Sequence, residues 1–176
     1  MKIFNRVVII IAIAIVAITF GLLAIPNSFA VVTRGNYQLN GYEWTFAFKF
    51  IEKDFNVLRK VTDARVSVQT VVALVFALLS VPLVIIHKKS ALYELLAGLL
   101  LIVSGFMFLL MIISAHNIYG GECNILWVTY VIGVLHLIIG GLLIYVSVLL
   151  LKKEKEALVS NKSQGYSYLK KEDNKK

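Results

Sequence analysis

Cysteine is nearly missing from this chain: Cys123 is its only one. A lone cysteine excludes an internal disulfide, a CxxC redox pair and a cysteine-rich metal site. Cys123 lies between the third and fourth apolar runs, where it reads either as a thiol without a role or, facing an oxidising exterior, as a point of intermolecular pairing. Charge is also scarce, at 16% of residues against roughly 25% in soluble domains. Glycine-rich phosphate loops, His-x-x-x-His and HExxH patterns, and a nucleophile with an adjacent base are all missing. No catalytic residue, metal site or cofactor is therefore expected, and the chain reads as non-enzymatic.

Apolar residues make up 59% of the 176 residues, and the mean hydropathy is +0.83. Four runs, 7–25, 66–86, 91–115 and 125–151, each reach the roughly 20 residues that cross a hydrocarbon core about 30 Å thick as a helix. The fold expected is an all-α membrane protein: an antiparallel bundle of four transmembrane helices, with a small extracytoplasmic β-hairpin and a second helix extended beyond the membrane. Residues 1–151 form this domain, and 152–176 a basic, disordered cytoplasmic tail. Lys2 and Arg6 before the first run, His87, Lys88 and Lys89 after the second, and eight lysines after the fourth all fall on one side. Cytoplasmic flanks hold such an excess, so both termini are placed in the cytoplasm of a multi-pass plasma-membrane protein. The net charge of +8 reflects this bias and is not a nucleic-acid surface. Lys152, Lys153 and Lys155 are placed to meet anionic headgroups. A competing reading takes the first run as a signal peptide cleaved after Ser28-Phe29-Ala30.

Helices in lipid associate through small residues and a few polar contacts. Stripes of this kind are Ala14, Ala17, Gly21 and Ala24 in the first run and Thr70, Ala73, Ala77 and Ser80 in the second. In the third they are Glu94, Gly98, Gly105 and His116, and in the fourth Thr129, Gly133, His136, Gly140 and Ser147. Pro82 falls in the last turns of the second helix and would kink it. His136, near the middle of the fourth run and on the same face as Thr129, is the candidate intramembrane polar site. It supports either a proton relay or ligand contact in a small transporter or channel component, or a neutral imidazole bonded to a Ser or Thr across the bundle. Glu94 and His116 lie near opposite membrane surfaces, and Glu94 is expected to pair with Lys88 or Lys89.

The longest loop carries aromatics at every second position: Tyr42, Trp44, Phe46, Phe48 and Phe50. Asn40-Gly41 is a strong type I′ turn signal. Folding 31–50 about that turn sets Tyr37 opposite Trp44 and Val31 opposite Phe50, with the aromatics on one face. A helical rival uses Trp44, Phe48, Ile51 and Phe55. Beyond the hairpin, Ile51, Phe55, Leu58 and Thr62 continue in phase into the second run, so a helix over 52–65 is expected to project from the membrane and cover the hairpin. Tyr37, Tyr42, Trp44, Phe46, Phe48 and Phe50 are the candidate contact surface for a membrane or extracytoplasmic protein partner.

Four helices with both ends inside and a larger first outer loop bearing strands and a Trp are similar in layout to the claudin-like tetraspan proteins. The loop has one Trp, Trp44, and lacks the Trp-Gly-Leu-Trp pattern and the two cysteines of claudins, so barrier or pore function is not carried over. The expectation is an accessory or scaffold subunit.

Overall fold

A computed structural model describes residues 2–25, 28–32, 41–46, 67–86, 90–111, 113 and 123–173. In chain order these form α1 (Lys2–Gly21) with a 3-10 turn (Leu22–Ala24), β1 (Ala30–Val32), α2 (Gly41–Phe46), α3 (Val68–Ile85), α4 (Ala91–Leu109), β2 (Cys123–Ile125) and α5 (Trp127–Asp173). Four stretches, Ile3–Ala24, Val68–Ile85, Ala91–Leu109 and Trp127–Ala157, are long and apolar enough to cross a membrane. Their outward sides carry Ile10 and Ile18 on α1, Leu78 and Leu79 on α3, Leu99 and Phe106 on α4, and Val134 and Ile138 on α5, all exposed. Such surfaces suit acyl chains rather than water, and the chain is a membrane protein.

The four long helices form a ring. α4 packs along α5 on one side and α3 on the other, and α1 closes the ring against α5 and, less extensively, α3. Neighbours α4 and α5 approach so closely that a Cβ on Gly98 would stand 2.7 Å from the Gly140 carbonyl oxygen, and one on Gly105 2.6 Å from that of Gly133. The contact is reciprocal: a Cβ on Gly140 would meet the Gly98 oxygen at 2.7 Å. Two glycine pairs seven residues apart on each helix, in opposite order, make this an antiparallel backbone-to-backbone seam. Ala73 and Ala77 line the inner face of α3, fully buried.

On α1 the outcome differs from the expected stripe. Ala14, Ala17, Gly21 and Ala24 face outward, and a Cβ on Gly21 would meet nothing within 4 Å. The buried side is Val8, Ile9, Ala12, Val16 and Thr19. Both sets have helical spacing. The larger apolar side chains fill the groove between α3 and α5, which the more distant α1 axis leaves open; small residues favour only a close approach, and here that approach is between α4 and α5.

The loop is the second correction. Gly41–Phe46 is helical, and Val31 pairs with Asn124 of β2 rather than with Phe50; the register is Ala30 with Ile125, Val31 with Asn124 and Val32 with Cys123, antiparallel. The Asn40-Gly41 hairpin is therefore replaced by a two-stranded ribbon joining the segment after α1 to the one before α5. The Phe29 carbonyl fixes that junction, accepting from Leu126 N at 3.0 Å and from Thr129 Oγ1 at 2.9 Å. Ser67 has extended backbone (φ −74, ψ 91), so α3 starts at Val68 and does not run on unbroken from an earlier helix. The helix expected over 52–65 lies outside the described residues.

The third correction is the tail. α5 continues to Asp173 as one helix of 47 residues, about 70 Å at 1.5 Å per residue. Lys, Glu, Ala and Leu propagate a helix well, and a helix already nucleated in the membrane does not incur the initiation cost again.

Candidate functional site: the polar layer around His136

Two apolar clusters fill the bundle. One holds Val8, Ile9, Ala12 and Val16 of α1, Ala77 and Val84 of α3, Ala97 and Leu101 of α4, and Ile139 and Leu143 of α5. The other, toward the ribbon, holds Phe29, Ala30, Ala73, Leu74, Phe108, Met111 and Ile132. Between them, at one level, lie Thr19, Ser104 and His136, each with no exposed surface.

His136 Nδ1 lies 3.1 Å from Ser104 Oγ, and Nε2 lies 3.3 Å from Thr19 Oγ1. Ser104 Oγ donates to the Ala73 carbonyl of α3 at 2.8 Å, and Thr19 Oγ1 is 2.8 Å from the Ile15 carbonyl of its own helix. The layer thus takes one member from each long helix. The His136 ring also packs on Phe108, centroids 5.6 Å apart and tilted by 46°, and Phe108 packs on Phe29 at 5.8 Å. Phe29 therefore covers the layer on the ribbon side. Both ring nitrogens lie within hydrogen-bonding distance of a hydroxyl and aromatic rings cover the imidazole, an arrangement that suits a buried polar group.

Thr129, expected beside His136, is engaged elsewhere: its hydroxyl donates to the Phe29 carbonyl at the ribbon end. Seven residues separate the two, about 10 Å along the helix. Thr19 and Ser104 were missed because each sits in an otherwise apolar stretch. Their depth could have revealed them, since each lies where its run brings a polar group level with His136. Gly133 and Gly140 flank His136 along α5, facing Gly105 and Gly98.

Of the aromatic row, Tyr42, Trp44 and Phe46 fall on α2, with Tyr42 half-buried and Phe46 38% exposed. Tyr37, Phe48 and Phe50 lie outside the described residues. α2 is held close to the first span: a Cβ on Gly41 would stand 2.6 Å from the Leu22 carbonyl oxygen and 2.8 Å from the Leu23 Cα, so only glycine allows the approach. Thr45, buried, donates to the Gly41 carbonyl at 2.7 Å, and the Thr45 carbonyl accepts from Ser67 N at 3.1 Å, tying α2 to the start of α3.

At the opposite end, Ser90 caps α4 by accepting from Leu92 N at 3.2 Å. Glu94, in the first turn, is fully buried and accepts from Asn5 Nδ2 of α1 at 3.5 Å. Lys88 and Lys89, its expected partners, lie outside the described residues. Lys152, Lys153 and Lys155 are exposed on α5. No group of three metal-ligating side chains occurs among the described residues.

No family model matches the chain, and no curated protein matches it.

Proposed function

We propose that this is a non-enzymatic, multi-pass plasma-membrane protein, with both termini cytoplasmic, that serves as an accessory or scaffold subunit and contacts a protein partner through its ribbon-end loop. The observation that carries this reading is the closure of the polar layer. The His136 nitrogens are matched by hydroxyls of two neighbouring helices, and apolar clusters lie on both sides. A transporter needs a connected succession of polar groups across the bilayer; Ser80, Thr129 and Ser147 are buried as well, but each donates to a backbone carbonyl near it and not to the His136 layer, which favours a packing role instead. Activity then belongs to surfaces outside the bundle, and the loop with α2 and the aromatic row is the richest in side chains suited to anchoring a partner. The exposed Lys152, Lys153 and Lys155 add about 1 kcal/mol each toward anionic headgroups.

Purification in mild detergent tests the reading. Trp44→Ala combined with Phe48→Ala is expected to lose a co-purifying partner while membrane insertion is retained. Retention of every partner by the double variant would sink it.

A further inference from the structure

We propose that α1 is a latch: a helix that opens from a three-helix body of α3, α4 and α5 while that body stays assembled. Three observations converge on it. The first is backbone proximity. The α4–α5 seam has two reciprocal glycine contacts, whereas Ala14, Ala17, Gly21 and Ala24 of the first span point outward and Gly21 has no neighbour within 4 Å of a built Cβ. The second is the direction of hydrogen bonding in the polar layer. A neutral imidazole donates from one nitrogen and accepts at the other. Ser104 has its proton on Ala73 O, a bond between α4 and α3, and its oxygen can accept His136 Nδ1–H at 3.1 Å. Thr19 has its proton on Ile15 O of its own helix at 2.8 Å, so its 3.3 Å contact with Nε2 is the weakest link of the layer. If α1 leaves, the Thr19 hydroxyl keeps its bond to Ile15 O, and the bonds among α3, α4 and α5 persist.

The third observation is a second polar bond from α1. Asn5 Nδ2 reaches Glu94 at 3.5 Å, and Asn5 Oδ1 is buried without a hydrogen-bond partner among the described residues. The bonds that Thr19 and Asn5 of α1 make to His136 and Glu94, at 3.3 and 3.5 Å, are longer than the 2.8 and 3.1 Å bonds that Ser104 makes within the three-helix body. Opening uncovers the apolar inner sides of α3 and α5, which acyl chains can wet, and a single ring nitrogen.

Distances between spin labels in bilayers test the latch, using the full chain with Cys123→Ser and labels at lipid-exposed positions, Ile10→Cys on α1, Leu99→Cys on α4 and Ile138→Cys on α5, 66%, 45% and 53% exposed. The pair 10/99 reports α1 against the three-helix body and the pair 99/138 the body itself. The 10/99 pair is expected to show a second, longer distance that the 99/138 pair lacks. Adding Thr19→Val should at least double the share of that longer distance and leave 99/138 unchanged. Ile18→Cys, 60% exposed, serves as a second α1 reporter should Ile10→Cys disturb folding. A single distance for both pairs, or equal broadening of both by Thr19→Val, would overturn the proposal.

Discussion

At His136 the hydrogen-bond inventory separates two substitutions that would otherwise look alike. His136→Leu removes the imidazole and keeps most of its volume; the hydroxyls of Thr19 and Ser104 still have the Ile15 and Ala73 carbonyls at 2.8 Å each. Its expected cost is about 1 kcal/mol, the scale of interhelical hydrogen bonds in bilayers. His136→Ala additionally leaves a cavity between two packed clusters and is expected to cost about 2–5 kcal/mol. Reversible unfolding in mixed micelles measures both; a leucine variant as unstable as the alanine one would mean that the imidazole is not replaceable by packing. The residue-level sequence reading found His136 and its bond to a hydroxyl across the bundle. It did not find which hydroxyls, because Thr19 and Ser104 carry no motif and only relative depth distinguishes them.

Among the elements, glycines of identical composition differ by their neighbours. Gly98→Ala forces a methyl to within 2.7 Å of the Gly140 carbonyl oxygen, so the α4–α5 seam must widen, at about 1–3 kcal/mol. Gly21→Ala meets open space and should leave stability unchanged or raise it by up to about 1 kcal/mol through helix propensity. The same micelle titration distinguishes them, and equal losses would place both glycines at contacts. The four spans were legible as apolar runs because length and hydropathy alone decide them. The outward turn of α1 was not, since its small and its large apolar residues have the same period and only packing chooses between them. The ribbon was hidden for another reason: Val31 pairs with Asn124, 93 residues away along the sequence, and local alternation about Asn40-Gly41 gives no sign of such a distant partner. The length of α5 was missed because composition describes a polar segment in isolation, whereas this one inherits a helix already formed.

Across the whole molecule, orientation and processing are open to direct measurement. With the termini in the cytoplasm, a membrane-impermeant maleimide should label Cys123 on intact cells; labelling only after lysis would invert the arrangement. The first span supplies Thr19 to the polar layer, and Phe29 just beyond it is fully buried, so cleavage after Ala30 would remove two core residues along with α1. A chain tagged at both ends is expected to carry both tags on one band in a denaturing gel, and loss of the N-terminal tag from the membrane-bound product would contradict this.

The polar layer also acts as a depth gauge. One helical turn is about 5.4 Å, so sliding α1, α4 or α5 by a turn would carry its hydroxyl or imidazole toward one of the apolar clusters and leave its former neighbours unmatched. Apolar surfaces alone tolerate such slippage in lipid, where leucine against leucine and leucine against acyl chain are nearly equivalent. A tier with side chains from α1, α4 and α5 and a carbonyl from α3 favours one vertical alignment of the bundle and thereby sets the height at which the ribbon stands above it.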